Sequence, residues 1–232
     1  MRIINILFIL NIYICFGQKA YKFDTLLEYE SYFYDVELKK DTITKQFLLT
    51  NSKDNNYYIL VKEDNNLNYY LKFIHYDKYA SKVYVSKNDF FKASEINIDD
   101  CNTVFKYENK FKFKVKNYAF VNKSDTIINN KALKTYTLNY LLSRKKKVKK
   151  NIGTATYIIK NNTEYHLPIL KPAIAFNEWN KERNIPNGIY QEYILRNYDD
   201  IITKHETLIS TKKVSLTLNL IEPCPTKVII ER

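Results

Sequence analysis

Glycine is scarce in this sequence, with only three among 232 residues. Two of them, Gly153 and Gly188, lie beyond the N-terminal segment. Loops that cradle phosphates need several glycines in a short span, because the backbone must approach the phosphate closely. The nucleophile turn of serine hydrolases needs a glycine two residues to either side of its serine. The scarcity therefore excludes nucleotide-binding folds of the phosphate-loop types and hydrolases with that turn.

Histidine is equally rare, and the three present are His75, His166 and His205. No two of them have the spacing that places two imidazoles on one face of a helix, as zinc proteases require. We therefore predict no metal site, no cofactor and no catalytic residues. A hydrolase is the third choice of function, and it would require His166 or His205 to meet a carboxylate and a hydroxyl at hydrogen-bonding distance.

Cysteine occurs three times, and two of these residues, Cys101 and Cys224, lie beyond residue 17. Cys101 follows two aspartates, which raise the pKa of a thiol and make it a poor nucleophile. Cys224 stands between two prolines, a setting that suits a rigid, bridged corner. In an oxidising compartment the two thiols can form a disulfide. Two buried free thiols are the alternative, and the sequence leaves that choice open.

The N-terminus has the pattern of an export signal. Arg2 precedes an apolar run over residues 3–16, which is shorter than the roughly twenty residues that a transmembrane helix needs. Gly17 provides the small residue that cleavage prefers. We predict a signal peptide over residues 1–17 and a single β-rich domain over residues 18–232. The mature chain would then be periplasmic or extracellular with no transmembrane segment, and an uncleaved N-terminal anchor is the alternative.

Aromatic residues are abundant, with 21 tyrosines and 13 phenylalanines. They occur in short apolar runs separated by clusters of asparagine and aspartate, which is typical of antiparallel strands joined by tight turns. Strands are predicted over residues 43–49, 57–61, 69–74, 82–85, 112–121, 133–141, 154–159, 189–195 and 214–221. A helix is predicted over residues 172–183, with Phe176 and Trp179 one turn apart on one face. The fold class is mainly β, a large curved antiparallel sheet with one short helix packed on it.

Positive charge is concentrated in one short segment. The chain has a formal net charge of +12, and six cationic residues occur close together between two predicted strands. They are Arg144, Lys145, Lys146, Lys147, Lys149 and Lys150. We predict that this basic run forms a solvated loop or the tip of an elongated hairpin. It could bind anionic lipid headgroups, lipopolysaccharide or another acidic surface, and a solvated charge run without a partner is the alternative.

Three short segments of the second half follow one another in a characteristic order. Gly153-Thr154-Ala155-Thr156-Tyr157 and then Leu167-Pro168-Ile169 precede Asn184-Ile185-Pro186-Asn187-Gly188-Ile189. This order resembles the GLPGLI family of exported Bacteroidetes proteins, in which the last segment is a Gly-Leu-Pro-Gly-Leu-Ile turn. Pro186 and Ile189 match that turn, whereas Asn184 and Asn187 replace its glycines and Gly188 stands at a leucine position. The resemblance implies a periplasmic or surface protein with no catalytic residues to carry over. It also implies a lipoprotein-carrier-like half barrel with a helical lid.

Two classes of function follow, ahead of the hydrolase. The first is a noncatalytic cell-envelope protein whose concave sheet face, covered by Phe176 and Trp179, binds an apolar chain or a lipidated partner. The alternative use of the aromatic residues is simply to fill a core. The second is a surface interaction module whose basic run binds an acidic glycan or envelope polymer. Nucleic acid is a poor fit for an exported protein.

Overall fold

The computed structural model describes residues 17–109, 112–222 and 227–230. Within these residues the chain forms one sheet of thirteen strands, three short α-helices and two 3₁₀ turns. The strands are β1 (Gly17–Asp35), β2 (Lys40–Asn51), β3 (Asp54–Glu63), β4 (Asn68–His75), β5 (Tyr79–Ser86), β6 (Glu95–Ile98), β7 (Val104–Glu108), β8 (Tyr118–Ile128), β9 (Lys131–Tyr140), β10 (Thr154–Ile159), β11 (Tyr190–Arg196), β12 (Ile202–Glu222) and β13 (Lys227–Ile230). The helices are α1 (Lys87–Phe90), α2 (Arg144–Lys149) and α3 (Ala173–Glu182), and the 3₁₀ turns are Cys101–Thr103 and Lys112–Asn117.

The two longest strands form the middle of the sheet. In the described residues the strand order is β13-β7-β5-β4-β3-β2-β1-β12-β11-β10-β9-β8, and β6 pairs with β12. β1 and β12 pair in an antiparallel ladder from Gly17 with Glu222 to Phe33 with Lys204, with two register shifts. Neighbouring strands along the main path are antiparallel except for β13 and β7, and the β6 pairing is also parallel. The predicted large antiparallel sheet is therefore confirmed.

The sheet curves around α3. One apolar cluster contains α3 residues such as Phe176 and Trp179 together with buried side chains from eleven strands, from Tyr107 on β7 to Phe120 on β8. The curved sheet brings eleven strands and this ten-residue helix into one apolar cluster, and we call the face that carries it the concave face. A second cluster lies on the opposite face, where α1 and β6 cover the sheet. The predicted curvature and the helix packed on the sheet are both confirmed.

Helix α3 begins and ends close to the predicted bounds. Pro172 is its N-cap residue, in extended backbone that a proline adopts readily. The helix ends at Arg183, whose φ of 49° places it in the left-handed region, so it ends before Pro186 rather than at it. Its buried side chains lie on the face that meets the sheet. In the described part of the chain, no helix is long and apolar enough to cross a membrane.

Two sequence predictions about strands were wrong. Residues 112–117 alternate lysine with apolar residues, which predicted a strand, but they form a 3₁₀ turn that contacts α3. Val115 is buried there while Phe113 is 70% exposed, so the strand begins only at Tyr118. β1 was not predicted at all. Its burial alternates from Tyr21 to Thr25 and again from Leu27 to Ser31, but the buried side chains change face beside a register shift, where Leu26 and Leu27 are both buried.

Asparagine and aspartate form many of the turns, as their abundance predicted. Positive φ angles occur at Asp77, Asn129, Asn130, Asn151, Asn162 and Asp200. Gly188 is a position where glycine is required, because its φ is 140° and an added Cβ would lie 2.5 Å from the Ile159 Cγ2 atom. The chain turns there directly into β11. The predicted signal peptide lies outside the described residues except for Gly17, which begins β1.

Candidate functional site

The concave face has two halves that differ in exposure. Side chains directly opposite each other on neighbouring strands share a face, so the register identifies which residues lie on it. Near α3 these residues are buried, and we call this region the covered half. It includes Leu27, Leu48, Tyr58, Ile74, Tyr136 and Tyr157. Further along the same strands they are half-buried or exposed, and we call this region the open half. It includes Phe33, Leu60, Lys62, Tyr70, Lys72, Lys82, Tyr84, Leu195 and Lys204.

A buried carboxylate marks the boundary between the two halves. Glu206 on β12 is fully buried, opposite Ser31 on β1 and Tyr193 on β11. Its Oε1 atom accepts hydrogen bonds from Gln46 Nε2 at 2.7 Å and from Lys204 Nζ at 2.7 Å. Its Oε2 atom accepts from the Tyr190 hydroxyl at 2.7 Å and from Lys171 Nζ. Four donors therefore hold one carboxylate inside the protein.

The charges around Glu206 determine its ionisation. Burial opposes the charged form, but the ammonium groups of Lys171 and Lys204 outweigh it through charge and hydrogen bonds. The pKa of the Glu206 carboxyl therefore lies well below its ordinary value. Burial also lowers the pKa of Lys171, to about 8, against the attraction of Glu206. This carboxylate is ionised at neutral pH, and it neutralises one of the neighbouring lysines.

Three lysines surround this carboxylate, and we call Lys62, Lys171, Lys204 and Glu206 the lysine site. Lys171 Nζ lies 5.6 Å from the Tyr190 ring centroid, and Lys204 Nζ lies 5.0 Å from that of Phe33. Lys62 Nζ lies 5.9 Å from the same Phe33 ring. Burial and the neighbouring Lys204 lower the pKa of Lys62. With three ammonium groups and one carboxylate, the site has two positive charges in excess.

Several hydroxyls beside the site lack a hydrogen-bond partner among the described residues. They are the buried side-chain oxygens of Ser31, Tyr136 and Tyr157. The Tyr136 and Tyr157 rings stack with centroids 5.0 Å apart, and Tyr157 packs edge-on against Tyr193 at 5.0 Å. Burial raises the pKa of each of these phenols, so they remain neutral donors. The covered half is thus largely aromatic, and besides Glu206 at its boundary it contains the buried carboxylate of Glu178 on α3, which accepts from the Phe120 backbone N–H at 3.2 Å.

Phe176 and Trp179, the predicted ligand-binding residues, belong to the covered half. They are 4% and 3% exposed. Phe176 stacks on Tyr76 with ring centroids 4.2 Å apart, and the Arg183 guanidinium lies 4.5 Å from the Trp179 ring. These contacts place both side chains in the core between helix and sheet. Their role in binding a ligand stays a prediction, and the exposed surface of this face lies elsewhere, in the open half.

The basic run lies in the solvated connection between the paired strands β9 and β10, as predicted, but its backbone is helical rather than an irregular loop. Residues 144–149 make up α2 between β9 and β10. Four lysines and an arginine in sequence favour a helical turn because their long side chains lose little freedom there. Their charged groups are in solvent, and only Lys147 among the six is half-buried. Lys150 Nζ donates to the Tyr140 hydroxyl at 3.3 Å. None of these residues belongs to the lysine site.

The histidines have ordinary structural partners. His166 is fully buried; its Nδ1 donates to the Leu167 carbonyl at 2.6 Å, because a carbonyl can only accept. Its Nε2 lies 2.9 Å from the Thr50 hydroxyl, and burial lowers its pKa. His205 contacts the Glu192 carboxylate at 3.1 Å. In the described residues neither histidine therefore joins a carboxylate and a hydroxyl in the arrangement that a hydrolase would require.

The remaining histidine, His75, and the one described cysteine, Cys101, both have structural partners. Burial lowers the pKa of His75 to about 4, and its Nδ1 lies 3.1 Å from the Tyr21 hydroxyl. Cys101 is disulfide-bonded. Cys224 lies outside the described residues, so its pairing with Cys101 stays a prediction. Among residues 17–109, 112–222 and 227–230, no group of three His, Cys, Asp or Glu residues could hold a metal ion.

The lysine site was not predicted from the sequence. Its lysines come from β3, from the segment before α3 and from β12, and each is separated from the next by more than thirty residues of sequence. The one local signal is on β12, where Lys204 and Glu206 alternate with outward-facing residues and precede the buried Leu208. Charged residues at positions that continue an inward-facing apolar pattern indicate a buried polar site.

Solved structures resemble this fold only distantly. A structure of MucB in complex with MucA(peri) matches with 4% identity and a TM-score of 0.39, over 84% of this chain and 51% of the other. A Pseudomonas aeruginosa MucA/MucB complex matches with 4% identity and a TM-score of 0.40, over 83% and 52%. A putative outer membrane lipoprotein-sorting protein domain from Vibrio parahaemolyticus matches with 7% identity and a TM-score of 0.33, over 82% and 85%.

This chain spans about half the length of the chains that it matches in the two MucA/MucB structures. No family model matches the sequence, and no curated protein matches it. TM-scores below 0.5 carry no information on ligand or partner. The function must therefore be argued from the residues of the concave face.

Proposed function

We propose that this protein is an exported, noncatalytic component of the bacterial cell envelope that binds an apolar or lipidated ligand on the concave face of its sheet. The observation that carries the proposal is that α3 covers only one half of that face and leaves the other half open. α3 fills the covered half, while the open half leaves Phe33, Leu60 and Leu195 only partly buried. Half-buried apolar side chains on a concave surface are typical of a ligand-binding face.

Export is supported by two independent features. The first is the cationic and apolar pattern of residues 1–17. The second is the disulfide at Cys101, because disulfides form and persist in oxidising compartments such as the periplasm. Membership of the GLPGLI family is part of the same proposal, and it is supported by the order of the segments from Gly153 to Ile189.

The experiment is to extract the protein, purified as the cell exports it, with organic solvent and to identify retained lipid by mass spectrometry. We expect an acyl-chain lipid in the wild-type extract and its loss in Phe33→Ser. The matched control is Phe91→Ser, which changes a 51% exposed phenylalanine on the opposite face. If wild-type protein retains no lipid and added lipids do not raise its melting temperature, the proposed function is wrong.

A second candidate function is binding of an acidic glycan or envelope polymer by the basic run. The observation that favours it is the projection of the six cationic side chains from α2 and its C-cap residue into solvent. Such binding would weaken steeply with salt, because exposed charges are screened. It would disappear when the six residues are changed to serine and would be unaffected by Phe33→Ser.

A further inference from the structure

The open half has a large excess of positive charge. Four lysines, Lys62, Lys82, Lys171 and Lys204, lie on it or at its boundary, and Glu206 pairs with Lys171 and Lys204. The three ammonium groups of the lysine site share this one carboxylate, so two positive charges are in excess there. Like charges held close together cost the folded protein stability, and a bound anion would offset that cost.

Aromatic rings alternate with these lysines. The Phe33 ring lies between two ammonium groups, 5.9 Å from Lys62 Nζ and 5.0 Å from Lys204 Nζ. Tyr70 and Tyr84 pair across β4 and β5 with ring centroids 5.5 Å apart, and Tyr84 is 62% exposed. One continuous surface thus offers cations for a charged head and exposed ring faces for an apolar chain.

Building on the proposed function, we propose that the open half binds an acidic lipid with a phosphate head, its acyl chains lying along Phe33, Tyr70 and Tyr84. Lysine ammonium groups bind phosphate as point charges and need no fixed geometry. Glu206 neutralises one lysine of the lysine site and leaves two positive charges in excess, which matches the charge of a phosphate monoester near neutral pH. A neutral lipid would leave that excess uncompensated.

The opposite face provides a contrast. Its exposed Phe91 packs on Phe47 and Tyr69, and the nearby Lys87 is paired with Glu63 at 3.1 Å. Lys45 is also paired with a carboxylate, because its Nζ atom lies 3.8 Å from the Glu28 Oε1 atom. These two cations each have a carboxylate partner, in contrast to the three ammonium groups of the lysine site, which share one carboxylate.

The test measures binding of a short-chain phosphatidic acid to the full exported protein by calorimetry, beside the phosphatidylcholine of equal chain length, oleate and inorganic phosphate. The variant is Lys62→Gln with Lys82→Gln, two exposed lysines that do not contact Glu206. Each lysine near an anionic head contributes about fivefold in affinity, and Lys62 belongs to the lysine site, so the double variant should bind phosphatidic acid at least about fivefold more weakly. Lys145→Gln with Lys146→Gln removes the same charge from the basic run and should leave the affinity unchanged.

The outcomes separate this inference from the function on which it rests. Equal affinity for phosphatidylcholine and phosphatidic acid, unchanged in the double variant, would overturn the phosphate head while leaving an apolar ligand. Tighter binding of oleate than of phosphatidic acid would overturn it in favour of a carboxylate. Inorganic phosphate binding as tightly as the lipid would show that no acyl chain is recognised. Failure of every probe to bind would contradict the proposed function itself.

Discussion

The covered and open halves of the concave face lie on the same strands, yet they differ in almost every other respect. In the covered half, tyrosine rings and α3 side chains pack closely together, and Phe176 contacts Tyr76 and Trp179. In the open half, lysines and half-buried rings face solvent. The buried carboxylate of Glu206 lies between the two. The comparison shows that one strand can contribute core residues at one end and a charged, solvent-facing surface at the other.

The largest effect should distinguish a core phenylalanine from a surface one. Phe176→Ala removes a buried ring and leaves a cavity between α3 and the sheet, so we expect the free energy of unfolding to fall by about 3–5 kcal/mol. Phe33→Ala in the open half should lower it by only about 1 kcal/mol, because that ring already contacts water. Urea denaturation followed by circular dichroism measures both. Equal losses would show that the two halves are packed alike.

The next effect concerns the boundary between the halves. Glu206→Gln leaves Lys171 and Lys204 without the carboxylate that pairs with them, and removing one partner of a buried ion pair lowers the free energy of unfolding by about 3 kcal/mol. The matched control is Glu192→Gln, which breaks the more exposed pair with His205. We expect that control to change stability by less than about 1 kcal/mol.

The pH dependence of the free energy of unfolding is a second measure of what the ionised Glu206 contributes. The folded pKa of Glu206 lies below its ordinary value of 4.5, so its contribution is fully present above pH 4.5 and is lost as the pH falls further. The stability difference between wild type and Glu206→Gln should therefore shrink on acidification from pH 7 to pH 3. A difference that is constant over this range would mean that the carboxylate is not selectively stabilised in the folded state.

The sequence predicts the elements that have a local pattern better than those whose position depends on distant pairing. Residues 154–159 were predicted as a strand and form β10 with the same bounds, and α3 lies within the predicted helix. Both have short apolar patterns between polar clusters, which are local signals. In β1 this signal is interrupted, because Leu26 and Leu27 are both buried, on opposite faces of the sheet, beside a register shift. Its position depends on pairing with β12, nearly two hundred residues away in sequence.

The lysine site was beyond sequence prediction for a related reason. The basic run is a local concentration of charge and is visible as such, whereas Lys62, Lys171 and Lys204 are isolated residues in sequence. The register of the sheet brings Lys62 and Lys204 towards Glu206, and the segment that leads into α3 brings Lys171 to the same carboxylate. Lysines scattered along a basic chain have no distinguishing pattern. Such a site therefore emerges from tertiary structure alone.

The smallest effect tests the electrostatic state of the open half in the absence of any ligand. Lys62 lies close enough to Lys204 for that neighbour to help lower its pKa, after burial. Lys62→Gln removes this repulsion, so the free energy of unfolding should rise by up to about 0.5 kcal/mol at low salt, and the gain should vanish at high salt. On the opposite face, Lys45→Gln removes an attraction to Glu28 and should give no gain. If Lys62→Gln instead destabilises the protein, Lys62 stabilises the fold. The open half would then lack the charge repulsion that distinguishes it from the packed, covered half.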